Sequence, residues 1–187
     1  ANIFSGKELT SQAWYGTPES VINGNQEEII AYADRNYIYG SDRENLLTAG
    51  RKYNYYTYDN EVDNYKQDHY QLHLNHSFTN NLKLSSALHY TRGKGFYEQY
   101  KAGEDFNDYG FTPIILSNDT INTTDLIRRK WLDNHFYGGV FSLTYDNNCL
   151  NFIFGGGTNK YIGDHFGEVV WAEFSSDSQI RNRYYDN

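Results

Sequence analysis

Strict alternation of apolar and polar residues, in two windows, is the feature that most constrains what this chain can fold into. A period of two is typical of β-strands with one apolar and one polar face. In the first window the apolar positions are Tyr70, Leu72, Leu74, His76, Phe78, Leu82, Leu84, Leu88 and Tyr90. In the second they are Phe141, Leu143, Tyr145, Leu150, Phe152 and Phe154. Each window is interrupted by a short polar stretch, so each predicts a β-hairpin.

The first hairpin has a register that parity alone restricts. Its apolar positions are all even-numbered, so paired residues on one face must have an even sum. Pairing Phe78 with Leu82 meets this condition and leaves residues 79–81 as the turn. Two of the three turn residues are Asn, which tolerates the left-handed backbone that such a turn needs. We therefore expect Tyr70 to face Tyr90 across the hairpin.

The second hairpin requires an odd sum, because its apolar set changes from odd to even positions. We expect Tyr145 to pair with Leu150 around the turn 146–149, which sets Phe141 opposite Phe154. Gly155, Gly156 and Gly157 follow, and clustered glycine in a strand indicates a bulge, a bend or a close backbone approach.

The connections are asymmetric. The hairpins, about 68–92 and 135–161, have tight turns at one end, whereas the other end carries polar segments that we expect to be long loops. These loops are 1–67, 93–134 and 162–187.

Short elements are predicted within these loops. Residues 124–132 indicate a helix, with Thr124 as its N-cap and basic residues in its last turn. A second short helix is expected over 27–34. Late strands are expected over 169–174 and 180–185.

Composition excludes several classes of protein. The net charge of −8 argues against a nucleic-acid-binding protein, which would carry a basic surface. The single cysteine, Cys149, excludes an internal disulfide framework and a multi-cysteine metal site. No apolar run approaches the length of about 18 residues that a transmembrane helix needs.

The two ends of the sequence carry their own expectation. The chain starts at Ala1 without a visible leader and contains no Met, and it stops at Asn187 in a polar stretch. We expect both ends to be cuts in a longer protein.

Two groups of residues invite a metal-site or catalytic interpretation. His69, Gln71, His73 and, on the partner strand, His89 share the polar face. Their spacing of about 7 Å along a strand is too long for neighbouring metal ligands, so we expect polar lining.

Asp164, His165 and Glu168 could form an acid/base cluster. We expect no catalytic role, because no group that would stabilise developing charge accompanies them.

The remaining candidates have simpler explanations. The runs 59–64 and 104–108 resemble calcium loops in composition but lack the glycine and terminal Glu of an EF-hand, so solvated acidic surface is expected. Arg128, Arg129 and Lys130 could attract an anionic ligand or serve as helix-end charges. Asn-x-Ser/Thr sequons occur at Asn75, Asn118 and Asn122, and we expect them to be chance matches. Five aromatic residues could stack on a ligand, although loop packing is expected instead; they are Tyr97, Tyr100, Tyr109, Trp131 and Trp171.

Two fold classes fit the alternation. Strands of about 11 residues, with tight turns at one end and long loops at the other, are typical of an outer-membrane β-barrel. A soluble β-sandwich, in which two apolar faces pack on each other, gives the same alternation. The one-sided long loops favour the barrel.

The chain resembles TonB-dependent outer-membrane receptors in the form found in Bacteroidetes. The matching segments span most of the chain. They are residues 4–8 (Phe-Ser-Gly-Lys-Glu), 12–14, 68–73, 87–95 (Ala-Leu-His-Tyr-Thr-Arg-Gly-Lys-Gly), 97–100, 125–133 (Asp-Leu-Ile-Arg-Arg-Lys-Trp-Leu-Asp), 163–169 and 171–172.

The resemblance implies an all-β fold, namely antiparallel hairpins from a transmembrane barrel of about 22 strands with a plugged lumen. Such receptors bind a scarce nutrient, such as a siderophore, haem, cobalamin or an oligosaccharide, and import it with energy passed on by TonB. The implied location is the bacterial outer membrane, and the implied partners are the nutrient, outer-membrane lipid and the TonB complex, but no nucleic acid.

This sequence departs from the full family pattern. It offers no candidate for the N-terminal plug domain or for the segment that contacts TonB, so we expect a middle slice of the barrel. We expect no enzymatic activity, no cofactor and no resident metal, and the sequence identifies no ligand-binding residues. The alternative function is a soluble, aromatic-rich β-sandwich module that binds carbohydrate.

Overall fold

The computed structural model describes residues 1–117, 119–147, 149–175, 180–181 and 183–187. Strands hold 59% of the residues and helices 17%, which places the chain in the antiparallel all-β class. It divides into two compact units. One comprises Ala1–Thr10 with Val62–Asn187, and the other is Ser11–Glu61. No helix within the described residues is long and apolar enough to cross a membrane.

The larger unit is built on one six-stranded sheet, in the order β1-β2-β3-β6-β7-β8, with a separate β4-β5 pair. The pairs β2-β3, β3-β6, β6-β7 and β7-β8 are all antiparallel. The strands are β1 (Asn2–Ser11), β2 (Val62–Ser77), β3 (Leu82–Asp105), β4 (Ile114–Leu116), β5 (Asp119–Ile121), β6 (Thr123–Asp146), β7 (Asn151–Ala172) and β8 (Arg183–Asp186).

The register predicted for the first hairpin is confirmed. Tyr70 lies opposite Tyr90, and the backbone amide of Phe78 donates to the carbonyl of Leu82 at 2.9 Å. The turn is held by the hydroxyl oxygen of Thr79, which accepts from the backbone amides of Asn81 (3.2 Å) and Leu82 (3.0 Å).

The register predicted for the second hairpin is wrong by two residues. Tyr145 pairs with Phe152 rather than with Leu150, and Phe141 lies opposite Gly156 rather than Phe154. The cause is the side chain of Asn147, whose oxygen accepts from the backbone amides of Cys149 and Leu150 at 2.9 and 2.8 Å and so moves the turn one position along the chain. Residue 148, within the predicted turn, lies outside the described residues.

The strands run far beyond the predicted hairpins, so the predicted loops are wrong in extent. The loop expected over 93–134 is reduced to residues 106–122, and β7 continues to Ala172 through much of the loop expected over 162–187. Beyond the predicted bounds the side chains pair across strands by charge and aromatic contact rather than by apolar–polar alternation. The alternation of apolar and polar residues therefore ends there, while the backbone hydrogen bonds between the strands continue.

The helix predicted over 124–132 is wrong, because these residues form the first part of β6. Pairing with β3 overrides the local helix signals. Arg128 and Arg129 lie opposite Gln99 and Glu98, and each side chain bonds to its partner on its own face of the sheet. Of the late strands, 169–172 belongs to β7 and β8 starts at Arg183; residues 176–179 and 182 lie outside the described residues.

The smaller unit folds around three helices, where the sequence predicted mostly loop. They are α1 (Glu19–Asn23), α2 (Gln26–Arg35) and α3 (Gly40–Thr48), and α2 confirms the helix expected over 27–34. Asn25 caps α2 by accepting from the backbone amides of Glu27 and Glu28 at 3.1 and 3.3 Å. The core of this unit is Val21, Ile29, Ala33 and Leu46.

The sheet has two different faces in its central four strands. The apolar face carries rows of side chains that the register brings side by side, for example Leu84, Leu143 and Phe154. The polar face carries the intervening residues, such as His69, His89 and Asn134. A buried cluster covers the polar face far from the turns; it comprises Phe106, Tyr109, Phe111, Leu126 and Val169.

Candidate functional site

A groove of about 540 Å³ crosses the polar face of β2, β3, β6 and β7. No residue that lines it, within the described part of the chain, carries a formal charge at pH 7 with His neutral. The lining residues are Tyr65, Gln67, His69, Gln71, His89, Thr91, Gly93, Asn134, Phe136 and Tyr161. The groove thus offers uncharged hydrogen-bonding groups together with aromatic rings.

The histidines of the groove are held in the sheet surface. The Nδ1 atom of His69 lies 2.9 Å from the hydroxyl oxygen of Thr91. The ring of His89 packs on Phe136 with centroids 5.0 Å apart, and its Nε2 atom is buried without a hydrogen-bond partner among the described residues. Buried polar atoms in proteins are usually satisfied, so this nitrogen is positioned to bond a ligand group or a water molecule.

Two tyrosine rings of the groove lie across glycines. A Cβ atom at residue 93 would overlap the hydroxyl of Tyr65, and one at residue 163 would lie 2.5 Å from the hydroxyl of Tyr161. The Tyr161 hydroxyl donates to the side-chain oxygen of Asn134 at 2.7 Å. Glycine at these two positions therefore fixes where the tyrosines lie.

The metal interpretation of the polar-face histidines finds no geometric support. His69, Gln71 and His89 line the groove, whereas His73 lies 3.4 Å from the Gln71 side-chain oxygen. No three His, Cys, Asp or Glu side chains in the described residues come together in a group that could hold a metal ion.

The residues Asp164, His165 and Glu168 do not form one cluster. His165 lies on the polar face, with Nε2 3.2 Å from the Asn134 side-chain oxygen. On the apolar face Asp164 pairs with Arg183 at 3.4 Å, and Glu168 accepts from the indole nitrogen of Trp131 at 3.0 Å. The sheet separates them because successive residues of a strand point to opposite faces.

Arg128 lies on a strand, where it links neighbouring side chains by hydrogen bonds, and is not a helix-end charge. Its guanidinium donates to the side-chain oxygen of Gln99 at 3.0 and 3.2 Å and to the hydroxyl of Tyr109 at 2.7 Å. Tyr109 in turn donates to the carboxylate of Glu104. Burial and this carboxylate raise the pKa of Tyr109, and burial raises the pKa of Tyr184, which packs on Tyr109, to about 12. Both tyrosines therefore stay neutral and pin the 3₁₀ helix Phe106–Tyr109 onto the sheet.

Charged and aromatic rows cross the apolar face beyond the level of Tyr90. Asp133 accepts from Arg92 and, at 3.0 Å, from Lys94. These contacts, the Arg92 hydrogen bond first among them, lower the pKa of Asp133 to about 2. The next row is Phe96, Trp131 and Phe166, whose rings lie 4.7 and 5.8 Å apart.

The outermost row of these charges contains Arg129. Its guanidinium lies 2.6 Å from the carboxylate of Glu98, which is almost completely buried, and stacks over Phe96 at 4.3 Å. Lys130, on the opposite face, lies over the rings of Tyr97 and Tyr185 at about 6 Å. The three consecutive basic residues are thus divided between the two faces and do not form one anion site.

The other sequence candidates have local structural roles. Asp105 accepts from the backbone amide of Asn107 at the start of the 3₁₀ helix, and Glu61, in the run 59–64, is buried with its carbonyl accepting from the amide of Gln12 at 2.8 Å. Asn75 lies on β2, and Asn122 accepts from the amide of Phe106. The Asn118 sequon starts outside the described residues.

The aromatic residues expected in loops are mostly on strands. Tyr97 and Tyr100 lie on β3, and Trp131 and Trp171 lie on β6 and β7. Tyr109 is buried in the core, as loop packing predicted. Trp171 is the most exposed of the five, at 46%.

Sequence reasoning missed half of the groove. Asn134, Phe136 and Tyr161 join His69 and His89 because β3 pairs with β6, and the sequence did not predict this pairing between the two hairpins. These residues have even numbers on β6 and odd numbers on β7, as the polar positions of the second hairpin do. This parity was the signal that could have placed them on the polar face.

Comparison of the chain with protein-family models, with curated proteins and with solved structures found no match.

Proposed function

We propose that this chain is a segment of the β-barrel of a TonB-dependent outer-membrane receptor that imports a scarce nutrient. The observation that carries the proposal is a continuous apolar band, left exposed, on one face of four long antiparallel strands. Leu72 and Leu88 lie side by side in this band and are 56% and 61% exposed. Single exposed apolar residues are normal, but a contiguous patch of this kind indicates an interaction surface.

The height of the band suits a bilayer. Leu82 and Tyr90 lie eight residues apart on β3, which at about 3.4 Å per residue gives about 27 Å. A strand tilt of about 40° reduces the height of the band to about 21 Å. Outer-membrane barrels carry an apolar band about 25 Å tall.

Aromatic residues mark both boundaries of the band. At the upper boundary Tyr70, Tyr90 and Tyr137 form one row across three strands, and the rings of Tyr70 and Tyr90 stack with centroids 5.9 Å apart. At the lower boundary Tyr145 pairs with Phe152 beside the turn. Girdles of Tyr, Phe and Trp at the two interfaces are typical of membrane barrels, because such rings are apolar with a polar edge or tip.

The charged rows beyond the tyrosine row support a barrel in which the loop-proximal ends of the strands lie outside the membrane. The ion pair between Asp133 and Lys94 and the pair between Glu98 and Arg129 lie on the same face as the apolar band, directly beyond it. Such groups require water or strong pairing, so the face changes from lipid-compatible to water-compatible along each strand. In this proposal the strands extend past the membrane into the outer aqueous phase.

The polar face is the lumen wall in this proposal. Its groove lies at the level of the tyrosine row, since Gln71 and His89 are neighbours of Tyr70 and Tyr90. A nutrient that passes through the lumen would meet these uncharged groups at the level of the tyrosine row. The proposal assigns this segment binding and passage rather than catalysis, and it leaves contact with TonB to residues outside the segment.

A sandwich explains the exposed face less well. A second sheet would bury Leu72, Leu88 and Phe154, yet each remains more than half exposed and no second layer covers them within the described residues. The six-stranded sheet is also too narrow to close on itself, since the smallest outer-membrane barrels have about eight strands. The proposal therefore requires further strands beside β1 and β8.

Membrane partition of the full-length protein tests the proposal. We expect the protein in the outer-membrane fraction, extractable only with detergent, and migrating faster on a denaturing gel when unboiled because the barrel stays closed. Nutrient uptake should stop when TonB is inactivated. A protein that purifies from the soluble fraction without detergent would contradict the proposal.

A further inference from the structure

The three-helix unit, residues 11–61, contains a cleft that the barrel proposal does not use. The unit has its own core, in which Val21, Ile29, Ala33 and Leu46 are at most 3% exposed. Tyr32 and Tyr53 pack against this core. The exposed tyrosines call for another explanation.

The cleft has a volume of about 350 Å³ and is lined largely by tyrosine. Three of these tyrosines, Tyr15, Tyr37 and Tyr39, are 63%, 78% and 65% exposed. Tyr15 is kept in place by Tyr55, whose ring centroid lies 4.8 Å away. Exposed rings that are fixed in a concave surface lose little conformational freedom on binding, which favours their use as stacking platforms.

The backbone that presents these rings turns sharply at the end of α2. Tyr37 has φ +55°, in the left-handed region that a bulky residue rarely adopts, and Gly40 has φ +58°. The segment is held by the amide of Ile38, which donates to the carbonyl of Ala33 at 2.9 Å, and by the side-chain amide of Asn36, which donates to the carbonyl of Tyr32 at 2.8 Å. The amide of Tyr37 also donates to the carbonyl of Asp34 at 3.3 Å, so the left-handed residue belongs to the C-terminal cap of α2, and this cap fixes where the Tyr37 side chain leaves the helix.

The polar groups of the cleft include both acceptors and donors. Asp42 contributes a carboxylate, and Asn45 uses its side-chain nitrogen to bond the carbonyl of Asn54 at 2.9 Å, which leaves its side-chain oxygen as an acceptor. Burial, with the nearby Tyr32 and Asp42, raises the pKa of Tyr53, so its hydroxyl stays a donor at neutral pH. No Lys or Arg lines the cleft among the described residues, so an anionic ligand would face an uncompensated carboxylate.

From this geometry we propose that the cleft binds a neutral oligosaccharide. The faces of Tyr37, Tyr39 and Tyr15 stack on the apolar C–H faces of sugar rings, and Asp42 accepts hydrogen bonds from ring hydroxyls. A sugar offers both donors and acceptors on a ring with an apolar face, which matches this lining. The proposal concerns the helical unit alone and holds whether or not the sheet lies in a membrane.

The test is calorimetric titration of the full-length protein with neutral hexasaccharides, namely maltohexaose, cellohexaose, xylohexaose and mannohexaose. Ferric citrate serves as an anionic probe and a tryptic peptide mixture as a protein-like one. Three variants are compared with the native chain. Tyr39→Ala removes one ring, Tyr37→Asn removes another while keeping a residue that tolerates the left-handed backbone, and Ile30→Ala truncates an exposed apolar side chain of α2 outside the cleft lining.

We expect at least one hexasaccharide to bind. Tyr39→Ala and Tyr37→Asn should each weaken it about tenfold, the loss of one aromatic stacking contact, while Ile30→Ala leaves the affinity unchanged. Circular dichroism should show the same helical content in all variants. Absence of binding by every hexasaccharide, binding by ferric citrate or peptides alone, or equal affinity in the native chain and both tyrosine variants would overturn the proposal.

Discussion

The two halves of the long strands differ in what stabilises them. In the turn-proximal half, which comprises residues 70–90, 137–145 and 152–162, the apolar face is exposed and little covers it within the described residues. In the loop-proximal half, which comprises 92–105, 123–135 and 163–172, ion pairs, stacked rings and a buried cluster satisfy the side chains. One register runs through both halves.

In the proposed barrel, the two halves of each strand meet different surroundings. In the loop-proximal half the side chains contact one another through ion pairs, stacked rings and the buried cluster, so this half needs no apolar surroundings. The apolar side chains of the turn-proximal half lie beside one another but stay largely exposed, so the stability of this half depends on what surrounds it.

The largest expected effect is in the buried cluster. Leu126→Ala should lower the free energy of unfolding by about 3 kcal/mol or more, because Leu126 is fully buried and truncation leaves a cavity. Leu88→Ala, in the other half, should cost about 1–2 kcal/mol, since only the transfer of the side chain is lost. Denaturant unfolding in detergent micelles measures both, and a larger cost at residue 88 than at 126 would contradict the comparison.

A charge on the apolar face tests the turn-proximal half directly. Leu72→Arg should cost about 1–2 kcal/mol in lipid vesicles, because Leu72 lies one row inside the tyrosine boundary and the cost of Arg falls from about 2–4 kcal/mol at the midplane to about 0–1 kcal/mol at the interface. Gln71→Arg, one residue away on the polar face, is the matched control and should cost under about 1 kcal/mol. Equal costs at residues 71 and 72 would show that neither face meets lipid.

Acid titration tests the loop-proximal half. The folded pKa of Asp133, about 2, lies below its ordinary value of 3.8, so its ion pairs contribute stability above about pH 4 that is lost as the pH falls toward 2. Asp133→Asn should therefore cost about 1 kcal/mol at pH 7, a modest value because Lys94 is half exposed and the pairs are screened. The cost should vanish near pH 2. A difference between the two proteins that stays constant from pH 7 to pH 2 would contradict this assignment.

The smallest expected effect is at the turns. Asn147→Ala removes the acceptor for two backbone amides and should cost about 0.5–1 kcal/mol. Thr79→Ala is the matched change in the other turn, where the hydroxyl oxygen plays the same part. Denaturant midpoints measure both. If Asn147→Ala has no effect, the register of the second hairpin is set by its strands rather than by its turn.

The two hairpins differ in how completely the alternation of apolar and polar residues determines their register. Parity and turn length together determined the first hairpin, because the turn 79–81 is the shortest that satisfies the even sum. In the second hairpin parity was right, but registers that differ by two residues keep the same faces. The choice between them depended on Asn147, whose bond to the turn amides is a three-dimensional contact that no period reveals.

The limits of strand prediction have a similar cause. The strand identity of 124–132 depends on Gln99 and Glu98 of the neighbouring strand, about 30 residues earlier in the sequence. The candidate groove was half predicted. His69 and His89 followed from the first hairpin, whereas joining them to Asn134 and Tyr161 required the pairing of β3 with β6, which connects the two hairpins.

The central claim is that the even-numbered residues of β2 in the turn-proximal half face lipid and the odd-numbered ones do not. Spin labels at single cysteines, introduced at 71, 72, 73 and 74 in full-length protein with Cys149→Ser and reconstituted in vesicles, test it by accessibility to oxygen and to a water-soluble nickel chelate. We predict high oxygen accessibility at 72 and 74 and high nickel accessibility at 71 and 73. Nickel accessibility at all four positions, or no alternation between them, would contradict the account.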